Sequence, residues 1–204
     1  MVVDSLKALD PKRPIREADI VGRPRPNLPV VHLLVLVGMK AASFKGLDTP
    51  VADVARPQSN WTIRRFQRGD APRARQLIEA VWHEHFDRHP DPFVRNFIYS
   101  RLSDIDDAET AYGDQAIFLC AVTETEIVGT GAIKRINNRE CEMARMFVAS
   151  PYRGRGIGRA IADELIKFAL SAGYDQVRLS SNNALEASHH LYESLGFQSI
   201  TLGT

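Results

Sequence analysis

The chain has 204 residues, 44% of them hydrophobic and 25% charged, and a formal net charge of +1. That is the composition of an ordinary globular chain with room for one domain plus an extension, and its balance excludes the basic footprint of a nucleic-acid or acidic-membrane partner. The longest apolar run, Val30 to Met39, is about half the ~20 residues needed to span a bilayer and lies too far from the start for an ordinary secretory signal, so a cytoplasmic location is expected.

Residues 1–59 carry seven of the 11 prolines, scattered charges and no sustained period. They are expected to form a flexible, Pro-rich and largely irregular extension. One apolar segment, Val30 to Val37, is open between a short strand or helix docking on the domain and translated sequence upstream of the true start. The folded domain is expected over 60–204. Thr62 to Phe66 reads as a strand, and Asp70 as the N-cap of a helix carrying Leu77, Ile78, Val81, Trp82 and His85 at helical spacing. Trp82 fits core packing better than an acceptor groove. Phe93 to Leu102 reads as a second helix and Asp104 to Asp114 as an acidic loop.

Three strands follow, Ala116 to Val122, Glu126 to Ile136 and Glu140 to Val148, joined by short turns that favour an antiparallel meander. Gly129 and Gly131 inside the second strand point to a bulge or a close neighbour. Arg159 to Ser171 is a helix with an apolar face, closed by Gly173. Gln176 to Ser180 is a strand, necessarily parallel to the one before the helix. Glu186 to Leu195 is a last helix and Phe197 to Leu202 a last strand. Cys120 and Cys141 lie in apolar strand runs, where reduced buried thiols are expected, and no metal-ligand spacing is present.

Between the third strand and its helix lies Arg153-Gly154-Arg155-Gly156-Ile157-Gly158-Arg159. Alternating glycines let the backbone turn tightly and approach a ligand. The following helix start offers unpaired N–H groups and a positive dipole end, an anion site suited to pyrophosphate. Arg153, Arg155 and Arg159 add charge. A Walker A loop needs a Gly-Lys-Ser/Thr ending, which is absent, and a Rossmann loop needs one residue more between the second and third glycines.

The stretch resembles the R/Q-x-x-G-x-G/A signature of the GNAT family of acetyl-CoA-dependent N-acetyltransferases. Leu191-Tyr192-Glu193-Ser194-Leu195-Gly196-Phe197, about 35 residues on, resembles the family's L-Y-x-x-x-G-F signature. The resemblance runs from about Trp61 to Leu202 and implies an α+β domain on one mixed central sheet flanked by helices. It implies acetyl-CoA as co-substrate, no metal, and direct attack of an acceptor amine on the thioester. The cofactor would be bound by Arg153, Gly154, Arg155, Gly156, Ile157, Gly158 and Arg159, and by the main chain of Met146, Phe147 and Val148 where that strand splays from its neighbour.

Tyr192 stands at the family's general-acid position. Glu142 stands where many relatives carry a basic carboxylate, on a face shared with Ala144 and Met146 by strand alternation. The family's Asn before the last helix matches Asn182 or Asn183, of which Asn183 is taken as the cofactor contact. One strand usual after the G-F strand is missing. It is either replaced by another segment or completed by a partner in a homodimer. A non-catalytic acyl-CoA-binding regulatory module is the alternative to an enzyme. The acidic loop weakly favours a cationic acceptor.

Overall fold

The near-continuous apolar runs at 117–122 and 127–133 are buried on both sides, the pattern of strands in a sheet covered on both faces. The computed structural model describes residues 31–37, 54–55, 60–86, 102–182 and 186–200. Its strands are β1 (Val31–Val37), β2 (Val54–Ala55), β3 (Thr62–Arg65), β4 (Ile117–Val122), β5 (Ile127–Arg135), β6 (Glu140–Val148), β7 (Gln176–Asn182) and β8 (Gln198–Ile200). Its helices are α1 (Ala71–Phe86), α2 (Ser103–Asp106), α3 (Ala108–Ala111), α4 (Ile157–Ser171) and α5 (Glu186–Ser194).

The strands form one mixed sheet in the order β2-β3-β4-β5-β6-β7-β1-β8. All pairs are antiparallel except β6 with β7, the pair joined by the crossover helix α4. On one face Ile117, Leu119, Ile133, Cys141 and Met143 meet Ile157, Ile161, Leu165 and Ile166 of α4 and Tyr192 of α5. On the other, Phe118, Cys120 and Ala132 meet Ile78, Val81 and Trp82 of α1 and Ile105 of α2. Cys120 and Cys141 are free and buried, as their apolar contexts predict.

Two alternatives left open in the sequence, for Val30 to Val37 and for the last strand, resolve together. β1 is the short docking strand that was one reading of Val30 to Val37, and it pairs antiparallel with β7 from Val31↔Asn182 to Val37↔Gln176. It also pairs with β8 from Leu33↔Ile200 to Val35↔Gln198. The strand that the Phe197 strand needs beside it is therefore supplied from the N-terminal side of the same chain. A boundary at residue 60 cuts this sheet, because an apolar run alone does not reveal partners about 145 residues away.

Locally, Asp70 does not cap α1. Its carboxylate accepts from Gln67 N at 2.7 Å and takes Arg64 at 2.6 and 2.9 Å, closing a capping box on the preceding 3-10 turn. The acidic segment expected as a loop contains α2 and α3, and its Ile105, Ala108 and Tyr112 are buried. The helix expected over 93–102 falls outside the described residues apart from Leu102.

Candidate functional site

β6 and β7 hydrogen-bond only at their first residues, Glu140↔Gln176, Cys141↔Val177 and Glu142↔Arg178. Beyond Glu142 the parallel strands part, and β6 continues on β5 alone. The β5–β6 register slips between Thr130 and Ala132: Thr130 faces Phe147, while Ala132 faces Ala144. Arg145 and Met146 thus share one opposing residue, Gly131, which makes a bulge in β6. Arg145 sits at φ +57, in the left-handed region that an L-residue enters only when held there.

The bulge decides which backbone groups face the gap. Ala149 N donates to Val128 O at 3.0 Å. In an antiparallel pair the hydrogen-bonded positions alternate, so Ala149 and Phe147 turn their main chain toward β5, and Val148 and Met146 turn theirs toward the gap. Phe147, expected to offer its main chain there, is therefore spent on Thr130. Its ring packs edge-on against Trp82 with centroids 5.9 Å apart. Trp82 is buried in that core, as expected.

The bulge also moves Glu142. The face shared with Ala144 continues to Phe147, whereas Met146 packs with Val148 on the α4 side. The expected grouping of Glu142 with Met146 fails because the extra residue reverses alternation. Glu142 is half-buried at the vertex of the gap, opposite Lys134 of β5 and Arg178 of β7. No described residue bonds its carboxylate.

At the open end of the gap the chain passes through the 3-10 turn Ser150–Tyr152 into the glycine loop. Gly154 has φ +75 and Gly156 φ +78, and Gly156 is the N-cap of α4. A Cβ at either glycine would meet nothing within 4 Å. The space beside both is open, and their backbone is one that other residues strain to adopt. Gly158 lies under Val148 and Leu191, with room for a methyl at 3.5 Å. Ile157 buries its side chain in the α4 core, which leaves its N–H, with those of Gly158 and Arg159, in the unpaired first turn.

The three arginines divide. Arg153 Nε donates to Val148 O at 3.1 Å and its Nη2 pairs with Glu84 of α1 at 2.7 Å. Arg159 pairs with Asp163 at 3.2 Å and donates to Ser194 Oγ at 3.0 Å. Arg155 stacks over the Tyr152 ring at 5.1 Å. The link from Arg153 to Glu84 has no signal in the sequence, because it joins residues 69 apart.

Tyr192 packs under α4, 6% exposed, with its ring 5.9 Å from that of Phe197. No described residue takes its hydroxyl. Burial pushes its pKa up to about 12. His189 is half-buried and His190 exposed, the division that a 100° step between helical neighbours predicts. Asn183 lies outside the described residues. Asp104, expected in a solvated acidic loop, instead accepts from Arg145, Lys134 and Tyr112.

Among the described residues no cluster of His, Cys, Asp or Glu is placed to hold a metal, and no helix is long and apolar enough to cross a membrane. The sequence model of the Acetyltransferase (GNAT) family matches residues 74–197. The chain belongs to this family. The GNAT match covers β4 to α5, including both arms of the gap, the glycine loop and Tyr192.

The chain is similar to N-acetylaspartate synthetase of Xenopus tropicalis, 37% identical over 103 residues that make up 48% of this chain and 37% of that protein. It is similar to human N-acetyltransferase 8B, 28% identical over 129 residues, 60% of this chain and 55% of that one. It therefore spans only about a third to a half of the length of these curated relatives. A GNAT acetyltransferase from Staphylococcus aureus Mu50 superposes with TM-score 0.60 at 22% identity, over 70% of this chain and 87% of that one. An acetyltransferase from Clostridium acetobutylicum, solved with acetyl-CoA, superposes with TM-score 0.55 at 15% identity, over 71% and 94%. These two share the fold.

Proposed function

We propose that the chain transfers an acetyl group from acetyl-CoA to a primary amine by direct attack, with the gap between β6 and β7 as the site. The observation that carries this reading is the pairing of that gap with the glycine loop at its mouth. A pyrophosphate fits the open space beside Gly154 and Gly156, against the first-turn N–H groups of Ile157, Gly158 and Arg159. Arg155 adds positive charge beside it. The amides of a pantetheine arm fit the gap-facing main chain of Met146 and Val148. Val148 O already accepts from Arg153, so Arg153 shapes the mouth of the gap. When bound, acetyl-CoA supplies an activated acyl group with a thiol as leaving group.

Glu142 at the vertex and Tyr192 under α4 supply proton handling. An attacking amine must be neutral. At pH 7 deprotonation costs about 4.6 kcal/mol for a lysine-like amine and about 1.4 kcal/mol for an α-amine. Glu142, half-buried and bonded by no described residue, accepts that proton directly or through one water. Tyr192 serves the leaving sulfur. With the phenol at about 12 and an ordinary thiol near 8.5, complete proton transfer is uphill by roughly 5 kcal/mol. The hydroxyl therefore acts mainly as a hydrogen-bond donor that stabilises charge as it develops on sulfur. Its lack of a partner among the described residues leaves that donor available.

The similarity to N-acetylaspartate synthetase of Xenopus tropicalis supports an amino-acid amine among the acceptors. The spending of Asp104 on three internal partners removes it from any attraction of a cationic acceptor. The test is acetyl-CoA consumption by the purified protein over aspartate, other amino acids, polyamines, aminoglycosides and peptide N-termini. Amine-dependent release of CoA with a matching acetylated product supports the reading. Tight CoA binding with no turnover on any amine would leave a binding module instead.

A further inference from the structure

We infer that Asp104 is a positioning residue for the acetyl-CoA gap: it holds Arg145 in the left-handed conformation that makes the β6 bulge, and the bulge aims Met146 and Val148 into the gap. This deepens the acetyl-transfer reading and rests on it.

Arg145 has no glycine-like freedom, yet it stands at φ +57 in the middle of a strand. Two of its contacts bear directly on that conformation. Thr130 Oγ1, on β5, donates to Arg145 O at 2.8 Å. The guanidinium turns to the α1 face and forks onto Asp104, Nη2 to Oδ1 at 2.7 Å and Nε to Oδ2 at 3.0 Å. Both side chains are 14% exposed, so the pair is shielded and its two parallel bonds fix direction as well as distance.

Asp104 is itself fixed. Lys134 of β5 and the Tyr112 hydroxyl, the latter at 2.7 Å, bond the same carboxylate. Its own short helix, α2, is anchored by Ile105 in the α1 core. The carboxylate is thus a rigid post beside the bulge, and Arg145 is tied to it.

The consequence follows from period 2. Without the extra residue, β6 would alternate evenly from Glu142, and Phe147 rather than Met146 and Val148 would turn its main chain to the gap. Relaxation of Arg145 to an extended conformation is the local step toward that register. Asp104 would then act on cofactor binding through Arg145 without touching the cofactor.

A rescue experiment separates this role from a general contribution to folding. Glycine adopts φ +57 without help, so Arg145→Gly removes the need for the tie. Calorimetric titration with CoA is run on the full chain as wild type, Asp104→Asn, Arg145→Gly and the double variant, each checked for cooperative thermal unfolding. Asp104→Asn is expected to bind CoA at least tenfold more weakly than wild type. The double variant is expected to recover at least fivefold over Asp104→Asn, although it has lost one more side chain.

Wild-type affinity in Asp104→Asn, or a double variant no tighter than Asp104→Asn, overturns the inference and leaves the transferase reading standing. A wild type that does not bind CoA overturns both. If Asp104→Asn fails to fold, Asp104→Glu takes its place. It keeps the charge but moves the fork, and it must show the same loss and the same recovery with Arg145→Gly, or the inference is wrong.

Discussion

Gly131 and Met146 face each other across the β5–β6 pair so closely that a methyl group on Gly131 would stand 2.7 Å from the Met146 sulfur. The same methyl would press on Ile161 and come within 3.0 Å of Leu165 Cδ1. Glycine here sets how closely α4 lies on the bulge. Gly131→Ala is expected to destabilise by about 1–3 kcal/mol, the usual cost of overfilling a packed core. Urea unfolding should show a lower midpoint at unchanged slope. Gly69→Ala, where a methyl meets nothing within 4 Å, is the control and should move the midpoint little.

The place of β1 yields a second prediction. Leu34 lies opposite Leu179 of β7 and opposite Ser199 of β8, so it is a central-strand position. Leu34→Pro removes an N–H from the ladder and leaves its acceptor bare, at a cost of about 2 kcal/mol or more. Thermal unfolding should drop by several degrees. An unchanged midpoint would show that β1 does not complete the sheet.

Much of this was legible in the sequence where backbone geometry demands a particular residue. Gly154 and Gly156 stand at positive φ, and only glycine adopts it freely, so their spacing announced the loop. The β4–β6 meander was legible because three strand-like runs follow one another with only short turns between them. The bulge was not: its left-handed residue is an arginine, held by an aspartate 41 residues away. Gly131 opposite was the one hint, and it marks the partner strand rather than the bulged one. β1 was readable as apolar but not as a strand between β7 and β8, since nothing local encodes a distant partner. Arg153 looked like an anion contact because the sequence does not show Glu84 beside it.

Asp104 gives the chain an acid-sensitive element. Although burial alone would raise its pKa, hydrogen bonds from Arg145, Lys134 and Tyr112 win and hold it at about 2. An unfolded aspartate sits near 3.9. The unfolded state therefore binds the proton first, and the contribution, about 2–3 kcal/mol, is complete above about pH 5 and lost as pH falls through 2. Denaturant midpoints at pH 5, 4 and 3 should fall more steeply for wild type than for Asp104→Asn. Parallel slopes would remove Asp104 from the account of acid stability.

Gly156→Val tests the mouth of the gap. The φ of +78 makes valine strained there by roughly 1–2 kcal/mol, a cost the fold should survive. The new side chain would project into the open space beside the helix start. CoA binding by calorimetry should weaken at least tenfold. Gly158→Ala, whose methyl has room at 3.5 Å, should weaken it less. Equal affinities for wild type and Gly156→Val would sink the loop as the pyrophosphate site.

Tyr192 ties the glycine loop and the gap to chemistry rather than binding alone. Tyr192→Phe keeps the ring against Phe197 and removes only a hydroxyl that no described residue uses. Stability and acetyl-CoA affinity should stay near wild type. The chemical step should slow by about 10²-fold, the lower range for loss of one donor to a developing anion. An acyl thioester with a more acidic thiol should narrow that defect. The deciding measurement is single-turnover acetyl transfer from acetyl-CoA to an accepted amine by wild type and Tyr192→Phe. A slowed step at unchanged affinity is the predicted result, and transfer at the wild-type rate, or a collapse of acetyl-CoA affinity, would contradict it.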